Sequence, residues 1–281
     1  MNLEIENQNI VTIENELFNQ LERMLINNFS NCSMALPSTN NFYSPFILAL
    51  IGIFLNQTKH KRIESLLIKI ENKLNETPNN AGIYNFYGND KYFYDVDTTS
   101  IVNTFFLLRN CKSSEYHNRI LKSLLNNKIN GDKAIQTWIN RPRNNIDWFV
   151  NYNFFAYSYL LNRPNQLIRE YLISEKEKFL QTGSHYYSDI SFPYFLIEFN
   201  NIEFETDLSI NEKLICNDNT NLFHIGVNIL DGKLTQITLE IFLFLLNSNQ
   251  LYFNSKKGYF TSQELNSAII LYLINKIQNN E

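Results

Sequence analysis

Two aspartates stand two residues apart at the beginning of an apolar segment. In the stretch "YFYDVDTTSIVNTFFLL" (92–108), Asp95 and Asp97 follow three aromatic residues and precede the apolar run. A single Asp here suits a helix N-cap, because its carboxylate accepts a hydrogen bond from a free backbone N–H of the first turn. Two close carboxylates instead share protons, since both cannot ionise cheaply, and a coupled pair suits general-acid chemistry. The stretch therefore predicts a helix cap or an acid, and both interpretations stay open.

Other polar and aromatic residues inside apolar segments also allow two interpretations, one structural and one functional. Asn103, Asn151, Asn153 and Tyr157 interrupt apolar runs, and a buried amide without a partner costs about 1–3 kcal/mol. They either tie helices together or line a polar pocket. Asn153 and Tyr157 are four residues apart and share a helix face, whereas Asn151 points elsewhere. The following aromatic residues either pack a core or line a cavity where their π faces would stabilise a cation: Phe105, Phe106, Trp148, Phe154, Phe155, Tyr186, Tyr187, Phe192 and Tyr194.

Composition restricts the class of protein. A chain of 281 residues with 44% hydrophobic and 14% aromatic content can bury a large core. The 8 Gly and 6 Pro form no linker, so a single domain over 1–281 is predicted. The net charge of −4, with no basic run longer than "KHKR" (59–62), argues against nucleic acid as a partner.

Cysteine usage and the N-terminus bear on the compartment. Cys32, Cys111 and Cys216 lie far apart, which indicates buried thiols in a reducing compartment rather than disulfides or a zinc site. The segment "MNLEIENQNI" lacks the pattern of a secretory signal, so a cytoplasmic location is expected. The run "FYSPFILALIGIFL" (42–55) is shorter than the roughly 20 residues of a membrane span. It predicts a buried core helix, and the alternative is a monotopic patch that gives a peripheral membrane contact.

Metal and nucleotide sites find little support in the sequence. There is no DDxxD motif, and "EFETD" (203–207) is either a hard-cation patch or a solvated turn. The four His residues show no i, i+4 pairing with each other or with Cys. Phosphate-binding glycine loops and a G-x-S-x-G motif are missing, which excludes nucleotide-dependent and α/β-hydrolase chemistry. No metal ligand is predicted.

Helical periodicity dominates the chain and falls into two classes. Amphipathic stripes such as Leu17, Leu21 and Met24 alternate with segments that are apolar almost all round, including "TLEIFLFLL" (238–246). A degenerate repeat opens the apolar segments with aromatic residues and a small polar or acidic cap. Its copies are "NFYSPFILALIGIFL" (41–55), "YFYDVDTTSIVNTFFLL" (92–108), "RNNIDWFVNYNFFAYSYLL" (143–161), "HYYSDISFPYFLIEF" (185–199), "NILDGKLTQITLEIFLFLL" (228–246) and "GYFTSQELNSAIILYLI" (258–274). Six copies predict an all-α fold, a single (α/α)6 toroid of two concentric helix rings whose inner N-termini converge on one rim.

This pattern resembles the α/α toroid of terpenoid cyclases and protein prenyltransferases. Within it, "DVDTTS" is similar to the DxDD(T/S) acid motif of class II cyclases, with Thr98 in place of the last Asp. A DxDTT form of the motif occurs in some cyclases fused to haloacid-dehalogenase-like domains. A second resemblance, to little-characterised bacterial toroid proteins of the same superfamily, covers more of the chain. It is carried by "TW" (137–138), "IDWFVNYN" (146–153) and "HYYSD" (185–189).

The resemblance to class II cyclases implies protonation-initiated cyclisation of a linear, apolar prenyl substrate. Asp97 would be the general acid and Asp95 its partner carboxylate, which hydrogen-bonds to it or orients the site. Protonation requires no cofactor, although Mg²⁺ would accompany a diphosphate substrate. Whether a partner protein completes the pocket is left open by the resemblance. The candidate substrate-binding residues are Thr98, Tyr94, Trp138, Asp147, Asn151, Asn153, Tyr187 and Tyr194.

Two other functions remain open. One is a toroid that binds a peptide, a lipid or a carrier-bound intermediate at its rim without protonating it. The other is a carbohydrate-active (α/α)6 enzyme, in which two separated carboxylates such as Asp97 and Asp147 flank an open cleft. The apolar helices and the shortage of other acids near the rim make the carbohydrate-active enzyme less favoured than the other two functions.

Overall fold

Helices dominate the fold, as the sequence predicts. The computed structural model describes residues 2–27, 29–34, 41–127, 133–141, 144–187, 190–202, 221–232, 251–255 and 258–279. The α-helices within these ranges are α1 (Asn2–Ile26), α2 (Pro45–Asn56), α3 (Ile63–Glu76), α4 (Val96–Leu108), α5 (Ser114–Leu125), α6 (Trp148–Leu160), α7 (Gln166–Thr182), α8 (Ser191–Asn200), α9 (Leu222–Leu230) and α10 (Gln263–Asn279). The all-α class is confirmed. The segments "EFETD" (203–207) and "TLEIFLFLL" (238–246) lie outside the described residues.

The two predicted classes of helix are both present. The helices α2, α4 and α6 are buried on every side over most of their length. By contrast, α3 buries a single stripe that includes Leu66, Leu67 and Ile70, and its opposite face is exposed. Because Pro45 to Leu55 are all buried, α2 is a core helix. The monotopic alternative for this segment is therefore wrong.

Buried helices form one run of contacts, from α6 through α4, α2, α10 and α9 to α8. Helix α2 packs against α4, α4 against α6, α8 against α9, α9 against α10, and α10 against α2. The amphipathic helices cover them from outside this series, with α3 on α2, α5 on α4, α7 on α6 and α1 on α10. Residues far apart in the chain, in α1 and α10, thus form one helix pair.

Two glycines allow close contacts between neighbouring helices. A Cβ atom added at Gly52 of α2 would lie 2.5 Å from Phe105 Cε2 of α4, and one added at Gly226 of α9 would lie 2.5 Å from Phe195 Cε2 of α8. Such a distance is far below van der Waals contact. Each ring therefore lies against the bare backbone of its neighbouring helix.

An aromatic cluster fills the space between α2, α8 and α10. The Phe54 ring lies 5.7 Å from that of Phe195, 4.5 Å from that of Phe199 and 5.8 Å from that of Tyr272. Phe54 and Phe199 are near the C-terminal ends of α2 and α8. These helices are thereby packed together at the end opposite to their N-termini.

A small antiparallel sheet accompanies the helices and was not predicted. Its strands are β1 (Cys32–Met34), β2 (Asn41–Phe42), β3 (Leu251–Ser255) and β4 (Gly258–Thr261), in the order β2-β1-β4-β3. Ser33 pairs with Thr261 and Met34 with Phe260. The sheet therefore joins the segment after α1 to the segment before α10.

Within the part of the chain that the structure describes, no helix combines the length and the apolar character that crossing a bilayer requires. Cys111 is a half-buried free thiol, while Cys216 lies outside the described ranges.

Candidate functional site

Asp95 is the N-cap of α4. Its Oδ1 atom accepts a hydrogen bond from Thr98 N at 2.6 Å, and its Oδ2 atom accepts one from Phe86 N at 3.1 Å. Its backbone is extended, with φ −136° and ψ 154°, as is usual for a cap. The cap interpretation therefore holds for Asp95, whose carboxylate is occupied by backbone N–H groups.

Two loops hold the beginning of α4 in place. Asp95 N donates to Tyr84 O at 3.0 Å, and the Asp95 backbone pairs antiparallel with Trp138. Val96 N donates to Thr137 O at 2.9 Å. The position of the first turn of α4 is thus fixed by main-chain bonds to both neighbouring loops.

Asp97 lies in the same first turn but has a different environment. Its Oδ1 atom accepts from Asn153 Nδ2 of α6 at 2.7 Å, and its Oδ2 atom accepts from Tyr187 Oη at 2.6 Å. Asp97, Asn153 and Tyr187 are 8%, 1% and 2% exposed. The carboxyl group therefore joins α4, α6 and the segment before α8 through side chains alone, and we call these three residues the acid cluster.

Burial decides the protonation of both aspartates. It raises the pKa of Asp97 to about 8, an effect that hydrogen bonds from Tyr187 and Asn153 oppose and the nearby Asp95 and Asp147 charges reinforce. It also raises the pKa of Asp95 to about 7, against the stabilising N–H groups of Thr98 and Phe86. Asp97 therefore keeps its proton at neutral pH. The charge of Asp95 raises the pKa of Asp97. Among the described residues, the two carboxyl groups share no hydrogen bond.

Tyr187 is a donor at every ordinary pH. Burial raises its pKa well above the usual value for tyrosine, and the neighbouring Asp97 raises it further. Its hydroxyl therefore stays protonated and favours the ionised form of Asp97. The Phe149 ring lies edge-on to the Tyr187 ring with centroids 4.8 Å apart, and the Phe192 ring lies at 6.0 Å.

Asn153 can serve either protonation state of Asp97. Its Oδ1 atom is buried and has no hydrogen-bond partner among the described residues. With the amide as placed, Nδ2 donates to a carboxylate. Exchanging Oδ1 and Nδ2 by a half-turn of the amide would let a protonated Asp97 donate to the amide oxygen.

Asp147 connects two elements. Its Oδ1 atom caps α6 by accepting from Phe149 N at 2.9 Å and Val150 N at 3.2 Å. Its Oδ2 atom accepts from Ser184 Oγ and from His185 N, both at 2.8 Å. The expected substrate-binding residue is thus a helix cap that also holds the segment after α7, and both its oxygens are occupied.

Two of the remaining predicted residues, Asn151 and Trp138, make hydrogen bonds outside the acid cluster. Asn151 accepts from Ile135 N at 2.8 Å and donates to Ile135 O at 3.0 Å, so it ties a loop to α6. Trp138 is half-buried and donates from Nε1 to Tyr186 Oη at 3.0 Å. Asn151 therefore points away from Asn153, as its spacing predicts.

Three further predicted residues do not hydrogen-bond to Asp97 in the described part of the chain. The Tyr94 hydroxyl donates to Asp90 Oδ1 at 3.0 Å. Thr98 is buried and supplies its backbone N–H to the cap. Tyr194 is a buried residue of α8. The structure thus brings Asp97, Asn153 and Tyr187 together out of the predicted set.

Two polar residues were missed by sequence reasoning. Ser184 precedes the Tyr pair and carried no signal beyond being a small polar residue in a turn. His117 of α5 is buried, and its Nδ1 atom lies 2.9 Å from Tyr157 Oη. Its burial was predictable, because it shares the helical stripe of Ile120, Leu121 and Leu124.

An open groove of about 500 Å³ between α1 and α3 contains none of the predicted site residues. In the described ranges, no group of three or more His, Cys, Asp or Glu side chains is arranged to hold a metal ion.

Comparison with protein-family models and with curated proteins finds no match to this chain. Function is therefore inferred from the acid cluster itself.

Proposed function

We propose that the protein is a class II-like terpene cyclase in which Asp97 protonates a carbon–carbon double bond of a linear prenyl substrate. The observation that carries this proposal is the acid cluster. Its central carboxyl group is buried, has a pKa raised to about 8, and is bonded to side chains rather than to the helix it begins. The cap Asp95 is also buried with a raised pKa, so what distinguishes Asp97 is that its carboxyl group is bonded by side chains of other elements and not by backbone N–H groups.

The chemistry assigned to each residue follows from these contacts. Asp97 gives its proton to one alkene carbon, which leaves a tertiary cation, and a second double bond attacks that cation to close a ring. Tyr187 and Asn153 stabilise the carboxylate that is left behind. When the last cation loses a proton from carbon, the proton balance closes, so the product is an isomer of the substrate.

Aromatic rings near the acid cluster suit a migrating cation. Phe149 and Phe192 contact Tyr187, and Phe223 of α9 lies 5.1 Å from Phe192. The face of such a ring stabilises a desolvated cation by about 2 kcal/mol. The aromatic cluster around Phe54 packs α2, α8 and α10 together at the far end of the helices and would exclude water there.

The proposal includes a closed toroid over residues 1–281. The buried helices α2, α4, α6, α8, α9 and α10 would form the inner ring, and α1, α3, α5 and α7 would belong to the outer ring. The contacts that support this arrangement are those of α10 with α2 and of α1 with α10, which bring the two ends of the series together. In this proposal the protein works in the cytoplasm, where reducing conditions keep Cys111 a thiol.

Mg²⁺ enters the proposal with the substrate rather than as a resident ion. Protonation needs no metal, and a prenyl diphosphate carries Mg²⁺ on its own phosphate oxygens. A partner protein that completes the pocket remains part of the proposal. A peripheral membrane contact that delivers the substrate also remains part of it, and because α2 is buried this contact would use another surface.

Product analysis tests this function directly. The purified protein is incubated with farnesyl, geranylgeranyl and longer prenyl diphosphates plus Mg²⁺, and products are separated by chromatography coupled to mass spectrometry. We expect a cyclic product that keeps its diphosphate and falls at least 100-fold in Asp97→Asn, because loss of a general acid costs about 10²–10⁴-fold. Asp231→Asn, a change at an exposed aspartate after α9, is the matched control and should leave the product unchanged.

A second candidate is a toroid that binds a peptide, a lipid or a carrier-bound intermediate without catalysis. The observation in its favour is an exposed aromatic patch beside the beginning of α4. Tyr92 and Phe93 are 51% and 52% exposed, and the Arg141 guanidinium lies 5.3 Å from the Phe93 ring centroid. Absence of turnover on every prenyl diphosphate, together with an Asp97→Asn variant that still binds its ligand, would favour this candidate.

A further inference from the structure

Residues 184–187 form a short strap that binds the N-terminal ends of both α4 and α6. At its first residue, Ser184 Oγ donates to Asp147 Oδ2 at 2.8 Å, and the next backbone N–H, from His185, donates to the same oxygen at 2.8 Å. At its last residue, Tyr187 Oη donates to Asp97 Oδ2 at 2.6 Å. The strap therefore begins on the cap of α6 and ends on the acid of α4.

The middle of the strap is held as well. Ser184 Oγ, while donating to Asp147, accepts from Tyr186 N at 3.1 Å. The Tyr186 hydroxyl accepts from Trp138 Nε1 at 3.0 Å, and Trp138 is the residue whose backbone pairs with Asp95. Both the backbone and the ring of the residue before Tyr187 are thus fixed.

Capping α6 does not explain these bonds. The cap uses Oδ1 of Asp147, which accepts from both Phe149 N and Val150 N. The Oδ2 atom takes no part in the cap and accepts the hydrogen bonds from Ser184 Oγ and His185 N of the strap. Gly183 ends α7 just before the strap and has a φ of 69°. Because glycine has no Cβ, its own backbone conformation restrains the following residues little. Within the strap, the restraint on the position of Tyr187 therefore comes from Asp147, Ser184 and Tyr186. It acts together with the rings of Phe149 and Phe192 and with Asn153 Nδ2, which donates to Tyr187 Oη at 3.3 Å.

We propose that Ser184 and Asp147 are positioning residues, which hold the strap so that the Tyr187 hydroxyl stays on the Asp97 carboxyl group. This inference rests on the proposed function, in which Asp97 is the acid, and assigns the residues that set its proton affinity. A hydroxyl donated to a carboxylate favours the ionised form, so the strap makes Asp97 a stronger acid than burial alone would leave it.

Several groups act on Asp97 and have to be kept apart in a test. Asp95 faces it from its own helix, Asp147 and Asn153 from α6, and Tyr187 from the strap. Replacing Asp147 would change a charge as well as the strap. The neutral substitutions Ser184→Ala and Tyr186→Phe remove strap bonds without changing any charge near the carboxyl group.

The experiment is a titration of Asp97 in the whole protein, which needs no turnover. Aspartate carboxyl carbons are labelled with ¹³C, the Asp97 resonance is assigned by its loss in Asp97→Asn, and its midpoint is followed by NMR in samples whose fold is checked by circular dichroism. We expect the midpoint to rise by about one pH unit in Ser184→Ala, in Tyr186→Phe and in Tyr187→Phe, the size of one lost hydrogen bond to a charged group. Adding Ser184→Ala to Tyr187→Phe should then give no further rise. Ser158→Ala, which removes a buried hydroxyl bonded to Phe155 O within α6, is the control and should leave the midpoint in place.

The outcomes separate the two proposals. A midpoint that moves in Tyr187→Phe but stays in both Ser184→Ala and Tyr186→Phe would overturn the positioning role, whatever the protein catalyses. If the midpoint shifts occur and no prenyl substrate is turned over, the positioning role of the strap is supported and the cyclase proposal fails. If Ser184→Ala does not fold, Tyr186→Phe still decides the role of the strap.

Discussion

At the scale of single residues, neighbouring positions in one helical turn have opposite environments. Asp95 faces backbone N–H groups and caps α4, whereas Asp97 faces a tyrosine and an amide from other elements. The sequence named Asn153 and Tyr187 as candidates, yet they bond to Asp97 across 56 and 90 positions of the chain. Spacing along a helix predicts which residues share a face, but it does not predict which side chain from a distant element meets them. The acid cluster was therefore predictable as a set of residues and not as a set of contacts.

The raised pKa of Asp97 predicts how stability depends on pH. An unfolded Asp titrates near 3.9, and the folded residue near 8, so between these values the folded state binds more protons. Its contribution to stability is therefore complete below about pH 4 and is lost as the pH rises to 8, by up to about 1.4 kcal/mol per pH unit. Urea unfolding of the wild type and Asp97→Asn at each pH should show a difference that grows in favour of Asp97→Asn across this window. Equal slopes in the two proteins would show that Asp97 ionises in the fold as it does when unfolded.

At the scale of elements, the helices follow from their apolar patterns and the strands do not. Helices α2 and α4 were predictable because apolar side chains cover every face of a segment longer than three turns. Strands β1 and β2 have three and two residues, too short for an alternating pattern. Strand β1 pairs with β4, more than 200 positions away, and β2 pairs with β1. Tertiary pairing, not local preference, makes this sheet.

The close contact of α2 with α4 gives a test of helix packing. Gly52→Ala puts a methyl group into the Phe105 ring, and overpacking of a tight core costs about 1–3 kcal/mol. Helix propensity alone predicts the opposite, a gain of about 1 kcal/mol. Denaturant unfolding should therefore show Gly52→Ala to be the less stable protein, and combining it with Phe105→Leu should restore part of the loss. A stabilised Gly52→Ala would mean that the two helices are farther apart than described.

At the scale of the whole molecule, the first and last helices form one unit. Leu17, Phe18 and Leu21 of α1 are buried, and Gln20 of α1 bonds to Gln263 and Ser267 of α10 at 3.2 Å and 2.7 Å. These side-chain bonds connect α1 to α10, and the main-chain pairing of β1 with β4 connects the segments next to them. The molecule should therefore unfold as one cooperative unit.

Leu21→Ala tests that cooperativity. The change removes a fully buried side chain of α1 and should cost about 2–5 kcal/mol. In a single domain, tryptophan fluorescence from Trp138 and Trp148 and helical circular dichroism should shift together to lower denaturant. Val11→Ala, at a 55% exposed position of the same helix, is the control. A fluorescence transition that stays in place while circular dichroism shifts would divide the chain into two units.

The pairing of α1 with α10 has a consequence for synthesis on the ribosome. Helix α1 is translated long before α10, the helix against which it packs. At 5–20 residues per second, the intervening chain takes on the order of tens of seconds to translate. Throughout that time the part of the apolar stripe of α1 that packs against α10 has no native partner, whereas Phe18 can already pack against His60, whose ring centroid lies 4.3 Å away. Newly made chains should therefore depend on chaperones that shield this stripe until the last helix emerges.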